Sequence, residues 1–175
     1  MTEPDGLNPN PRFRFNLRGW AFYHFVKLLT PNLADPKVLA ETIRKDRMRG
    51  PSTLPKRFLA KLDFRETEDD GMRVFRTHRK GAPVPPLKLL YLHGGAYVLD
   101  LQDIQWNLVA GLLERIDAEV IAPIYPLAPE AGWDVTTTAV RRHFLGLVDR
   151  FGAENIIVWR LCGRRPGSPS GAGNA

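Results

Sequence analysis

Apolar positions change period several times along this chain. Between Leu17 and Leu29, Phe22, Phe25, Val26 and Leu29 fall on one face at helical spacing. Pro31 stops that pattern, and Pro36 suits the first turn of a second helix running to about Met48, closed by Gly50-Pro51. From Lys61 to Glu68 the period drops to two, with Leu62, Phe64 and Glu66 on one face. Asp70-Gly71 reads as a hairpin turn and Met72 to His78 as the returning strand. After a loop over Lys80 to Pro86, Leu87 to Leu92 is a nearly unbroken apolar run, which suits a strand covered on both faces. Helical spacing resumes from about Ile104 to Ile116, with Leu108, Leu112 and Leu113 inward. A strand over Glu119 to Ile124 follows. Then comes a helix over Thr136 to Phe151, with Val140, Phe144, Leu147 and Val148 on one face, and a strand over Asn155 to Val158. Strand, helix, strand, helix, strand predicts parallel pairing with right-handed crossovers, and so an α/β fold. No internal repeat interrupts the series. Residues 1–16, polar and rich in Pro and Asn, read as a loose arm.

Composition narrows the class. A chain of 175 residues, 43% hydrophobic and 25% charged, can bury one sizeable core. No stretch approaches the roughly 20 apolar residues of a membrane span. The opening MTEPDGLNPNPRFRF lacks the apolar segment of a signal peptide. A single cysteine, Cys162, argues against a disulfide scaffold or a cysteine-built zinc site, and a cytoplasmic protein is the expectation. The net charge of +6 suggests nucleic acid or a membrane until its distribution is read. Arg160, Arg164 and Arg165 supply half of it within the last 17 residues, which hold no acid. The other basic cluster, Arg44 to Gly50 with Lys56 and Arg57, reads as a solvated helix end. Neither an RNA-binding aromatic motif nor zinc-finger spacing accompanies it, so no nucleic-acid partner is expected. The apolar face of residues 17–29 is a packing face or a lid over an apolar pocket. Its alternative is weak membrane-surface contact through Trp20 to Leu29 and the flanking basic residues.

Chemistry concentrates in LLYLHGGAYV, Leu89 to Val98. In open parallel sheets, ligands bind beyond the carboxyl ends of the strands. His93-Gly94-Gly95-Ala96 stands at such an end. Glycine there lets the backbone approach a ligand and aim its N–H groups outward. Fixed donors of this kind suit an oxyanion hole, where negative charge develops during acyl transfer. Gly-Gly alone also fits an ordinary tight turn. Beyond the next strand stands YPLAPE, Tyr125 to Glu130.

Together these two stretches resemble the hormone-sensitive-lipase-like branch of the α/β-hydrolases, the fold-3 esterases and lipases. That family shows His-Gly-Gly-Gly-aromatic, then Tyr-Arg-Leu-Ala-Pro-Glu, then Gly-Asp-Ser-Ala-Gly. Here Ala96 replaces the third glycine and Pro126 the arginine. The resemblance runs in order of elements from about residue 20 to 158. It implies a partial α/β-hydrolase fold: a mostly parallel sheet with flanking helices and an N-terminal helical cap. Residues 1–50 would be arm and cap, 51–158 the hydrolase core, and 159–175 a non-native, disordered tail. The resemblance also implies oxyanion donors from the backbone of Gly94, Gly95 and Ala96. His93 would brace the loop, Tyr97 would line the acyl pocket, and Tyr125 to Glu130 would support the site from behind. The implied activity is hydrolysis of short acyl esters or lactones by a serine nucleophile, without metal or organic cofactor. A different class on the same fold is a non-catalytic ligand-binding protein, as the gibberellin receptors are.

The nucleophile is the gap. In this fold it stands in Gly-x-Ser-x-Gly on a sharp turn after a strand, with the acid and the histidine later. The strand NIIV, Asn155 to Val158, is present. The residues after it read WRLCGRRPGSPSGAGNA, without that pattern. Cys162 lacks the flanking glycine two residues before it, and His24, His78 and His143 all precede the elbow. A change of reading frame explains the break. Back-translated with GC-rich synonymous codons and read one base out of register, Val158 to Pro169 yields Ser-Gly-Gly-Ser-Ala-Gly-Gly-Gly-Leu-Ala-Leu. The serine then straddles the codons of Leu161 and Cys162. The expectation is an out-of-frame tail, a raw sheet edge at Asn155 to Val158, poor solubility, and no esterase activity for the 175-residue chain.

Overall fold

The structure, a computed structural model, describes residues 34–160. The predicted arm, the helix over Leu17 to Leu29 and the expected nucleophile position at Leu161/Cys162 lie outside the described residues. The chain divides into two compact units, residues 1–44 and 45–175. Helix α1, Pro36–Arg49, begins in the first and ends in the second. Within the first unit, Asp35 Oδ1 accepts the Lys37 N–H at 2.8 Å, and Arg44 pairs with Glu41 one turn before it.

The second unit is an α/β sandwich about a five-stranded sheet. Its strands are β1 (Leu62–Asp69), β2 (Met72–Arg79), β3 (Lys88–Leu92), β4 (Glu119–Pro123) and β5 (Ile156–Arg160). The order across the sheet is β1-β2-β4-β3-β5. β1 and β2 form the predicted hairpin, with Asp70 and Gly71 at φ 53° and 74°. Two positive φ values in succession are what a two-residue turn between twisted strands requires. β2 runs antiparallel to β4, whereas β3 runs parallel to both β4 and β5. Helix α2, Asp103–Leu113, connects β3 to β4, and helix α3, Trp133–Phe151, connects β4 to β5. The first crossover moves from β3 to β4 and the second moves from β4 back past β3 to β5, in opposite directions across the sheet, so right-handedness puts the helices on opposite faces.

The alternation of β3 divides its side chains between two cores. Leu89 and Tyr91 join Phe75, Val120 and the α2 residues Trp106, Val109 and Leu113. Leu90 joins Val74, Ile121 and Leu147 on the α3 face. Trp106 is fully buried, its ring against Phe64 and Phe75 at centroid separations of 6.2 and 5.8 Å. A large apolar side chain so placed contributes about 3 kcal/mol by removal from water.

Three sequence expectations are corrected. On α2 the inward face is Gln105, Trp106, Val109, Ala110 and Leu113, while Leu108 is 39% exposed. Trp106 is the largest side chain on the helix, and seating it rotates Leu108 outward. Helix α3 starts at Trp133, three residues before the predicted start, where Gly132 O accepts the Thr136 N–H. Strand β5, read as the start of a buried strand at Asn155 to Val158, begins at Ile156 and leaves Ile157 and Val158 half exposed at the edge of the described sheet, and it runs on through Trp159 and Arg160. Trp159 packs on Tyr91 with ring centroids 5.4 Å apart. A short 3-10 turn, Lys56–Phe58, also buries Phe58 beside Leu54, although no periodicity announced it.

Candidate functional site

β3 lies between its parallel neighbours β4 and β5, where the direction of the crossovers reverses, and in such sheets ligands bind in the crevice at the carboxyl ends of the strands. His93 to Leu99 turn over that end. Gly95, Ala96 and Tyr97 have φ of 141°, 55° and 62°. Gly95 O accepts the N–H groups of both Val98 and Leu99 at 3.0 Å, which closes the turn. A Cβ at Gly95 would stand 2.5 Å from Leu99 O, so the close approach requires glycine. Ala96 and Tyr97 adopt left-handed φ values that cost a non-glycine residue about 1 kcal/mol or more each.

Fixed groups hold this loop at its start. Gln105 on α2 straddles Gly94. Its Oε1 accepts the Gly94 N–H at 3.2 Å, and its Nε2 donates to Gly94 O at 3.1 Å. The same Oε1 accepts the buried Tyr91 hydroxyl at 2.9 Å. Gly94 therefore has its N–H engaged within the protein, and among the three expected donors only Gly95 and Ala96 keep theirs without an acceptor among the described residues. Tyr125 donates its hydroxyl to His93 O at 2.5 Å, and its ring stacks on the His93 ring at 4.2 Å and 5°.

His93 is 2% exposed, and its Nδ1 lies 3.2 Å from Gly94 O. A carbonyl only accepts, so the proton of the neutral ring stands on Nδ1. Burial lowers its pKa, which keeps the ring uncharged at neutral pH. Burial likewise raises the Tyr125 hydroxyl, so it remains a donor. These two groups form a neutral, stacked brace under the turn.

The loop's far half meets the second motif. Ala128 donates its N–H to Tyr97 O at 2.8 Å. Arg47 of α1 reaches Val98 O at 2.9 Å, Ala128 O at 3.1 Å and both carboxylate oxygens of Glu130 at 2.8 and 2.9 Å. A hydrogen bond from Arg47 holds the Glu130 carboxyl down to about 2. The basic helix end expected to be simply solvated is therefore paired inward at Arg47. Arg49 also bonds Asp46 and Gln102.

Beside the loop, a cavity of about 330 Å³ is walled by Leu92, Tyr97, Tyr125, Val140, Phe144 and Val158. Tyr97 lines it, with its ring against Tyr125 and Trp133 and the Arg160 guanidinium 5.0 Å above. A larger cleft of about 570 Å³ lies by the β1–β2 turn. There His143 pairs with Asp69 and Arg142 with Asp70. The two cavities share no lining residue, so this acid–histidine pair is separate from the turn over β3. Sequence reading missed Gln105, Asp46 and Arg47. The one signal for Gln105 is a polar residue on the apolar face of α2. Arg47 and Glu130 lie 83 residues apart, with no pattern linking them. Among the described residues, no group of three or more metal-ligating side chains occurs, and no helix is long and apolar enough to cross a membrane.

Comparison with known proteins agrees with this architecture. Residues 89–158 match a family described as alpha/beta hydrolase fold. No curated protein matches the chain. Among solved structures, the chain is similar to a presumed esterase from Staphylococcus aureus, with 27% identity and a TM-score of 0.63. The likeness covers 72% of this chain and 43% of that one. It is also similar to an esterase of the bacterial hormone-sensitive lipase family, at 19% identity and a TM-score of 0.53, covering 66% and 37%. An esterase/lipase from an uncultured bacterium gives 18% and 0.54, covering 71% and 40%. The last two are likenesses of fold. The chain spans less than half the length of each of these three proteins. The described chain thus has the α/β-hydrolase fold.

Proposed function

We propose that the turn over β3 is the oxyanion-binding half of a serine carboxylic ester hydrolase for short acyl esters or lactones. The observation that carries this reading is the pair of N–H groups at Gly95 and Ala96 without an acceptor among the described residues, held beyond the end of β3 while Gly94 is tied down. In acyl transfer, a serine oxygen adds to the ester carbonyl and the carbonyl oxygen gains a negative charge. Two preorganised N–H donors stabilise that charge without reorganising. The intermediate then expels the alcohol, and water hydrolyses the acyl-enzyme. His93 does not serve as the base, because it is buried beneath the turn with its ring stacked on Tyr125. The cavity beside Tyr97, at about 330 Å³, suits a small acyl group.

The nucleophile belongs on a turn after β5. The 175 residues contain no Gly-x-Ser-x-Gly. A reading frame one base out of register past Val158 can encode one through synonymous codons, and on this reading the chain as given hydrolyses no ester. Two measurements test this. Resequencing the gene across codons 150 to 175 should reveal a one-base discrepancy against related genes. A short-chain nitrophenyl ester should be cleaved by the product of the frame-corrected gene and not by the 175-residue chain. Turnover by the 175-residue chain, or an inert frame-corrected product, overturns the reading.

A further inference from the structure

We propose that Asp46 and Arg47, at the end of α1, form the latch that presets the oxyanion loop. This rests on the reading of that loop given above. The Arg47 guanidinium has five N–H donors, and its five hydrogen bonds go to Glu130 twice, Asp46, Val98 O and Ala128 O. The carboxylate of Asp46 is 5% exposed. It accepts from Arg47, Arg49, the Asp100 N–H and Gln102 Nε2, all at 2.9 or 3.0 Å. The pair therefore grips the backbone at Val98 and Asp100. Through Ala128, whose own N–H binds Tyr97 O, it also grips the second motif.

The consequence is geometric. Gln105 and Tyr125 fix the loop at His93 and Gly94, and the latch fixes it at Val98 and Asp100. Ala96 and Tyr97, both left-handed, lie suspended between the two anchors. A strained conformation persists only where the surroundings over-determine it. A lone ammonium cannot reproduce the latch, because a lysine offers neither the planar fork nor five directed donors. Arg47 and Asp46 are positioning residues that set where the Gly95 and Ala96 N–H groups point. The same arrangement gives Glu130 its role in the second motif: its carboxylate orients the Arg47 fork.

The test uses the ¹⁵N-labelled 175-residue chain with Arg47→Met, Arg47→Lys and Glu130→Gln. Amide exchange and ¹H–¹⁵N shifts are followed at Gly95, Ala96, Val98 and Leu99, with Leu90 and Ile121 in the sheet centre as controls. In Arg47→Met, exchange at Val98 and Leu99 should rise roughly tenfold or more, the scale of losing hydrogen bonds to a charged group. The Gly95 and Ala96 resonances should move, while Leu90 and Ile121 stay as in the parent. Glu130→Gln, which keeps the shape and removes the charge, should give a smaller change in the same amides. Arg47→Lys should resemble Arg47→Met. Parent-like behaviour of Arg47→Lys overturns the fork, and equal acceleration at Leu90 and Ile121 shows a general brace instead of a latch. Loop amides that ignore all three substitutions overturn the proposal outright. None of these readouts needs turnover, so a failure of the ester-hydrolase reading leaves them unchanged and separately decided.

Discussion

Gly95 and Ala96 are adjacent and face opposite tests. At Gly95, φ is 141° and a Cβ would meet Leu99 O at 2.5 Å. Gly95→Ala should therefore push the turn open and lower stability by about 2 kcal/mol, as overpacking combined with a forbidden φ requires. Chemical denaturation measures the loss, and an unchanged midpoint would contradict the close approach. Ala96 carries φ 55° with a side chain that dislikes it. Ala96→Gly removes that strain but adds freedom to the unfolded chain, so the net gain is up to about 1 kcal/mol. A melting temperature that falls instead would show that Ala96 makes contacts worth more than its strain. The run His93-Gly94-Gly95-Ala96 was legible as a tight turn of bare backbone because bare backbone is a property of residue type. Gln105 was not, because its value lies in meeting Gly94 eleven residues away around a helix.

At the scale of elements, the strands were easier to read than the helix faces. β3 and β4 are buried on both sides and read as apolar runs, yet each begins with a charge. Lys88 and Glu119 meet at 2.9 Å, and Arg76 from β2 adds a two-pronged pair to the same carboxylate at 2.9 and 2.8 Å. Burial pushes the Glu119 pKa up, but the hydrogen bonds from Arg76 and Lys88 outweigh it and bring it to about 2. The unfolded carboxyl titrates near 4.5. The stabilisation is thus complete above about pH 4.5 and is lost as pH falls toward 2, in total on the order of 3 kcal/mol. Acid titration followed by circular dichroism should show this loss, and Glu119→Gln should remove that part of the pH dependence. Glu119→Ala leaves Lys88 and Arg76 buried without a counter-charge and should cost about 3–5 kcal/mol at neutral pH. An alanine variant as stable as the parent would show that the cluster is solvated. On helix α2, Leu112 and Leu113 face the core as read, but Leu108 was misplaced because leucines dominate the periodicity, whereas the volume of Trp106 dictates which face turns inward.

Across the whole molecule, the described sheet has β5 at one edge, with Ile157 47% and Val158 50% exposed. An exposed apolar edge is a template for pairing with other chains. Ile157→Lys should lower the aggregated fraction of the 175-residue chain in sedimentation or light scattering, since an edge lysine opposes strand addition. Aggregation unaffected by this charge would place the sticky surface elsewhere. The order of elements and the parallel pairing about β3 follow from periodicity and crossover handedness, which are local or nearly local rules. So does the placing of a glycine-rich turn, His93 to Tyr97, after that strand, which rests on residue type next to a strand end. Tertiary structure alone assigned the Gly94 N–H to Gln105, leaving Gly95 and Ala96 as the pair without an acceptor among the described residues. It alone turned Arg47 from a surface charge into a contact with Val98, Ala128 and Glu130. The reason is physical: hydrogen-bond partners dozens of residues apart leave no period in the chain, and only the packed fold brings their atoms within 3 Å of one another.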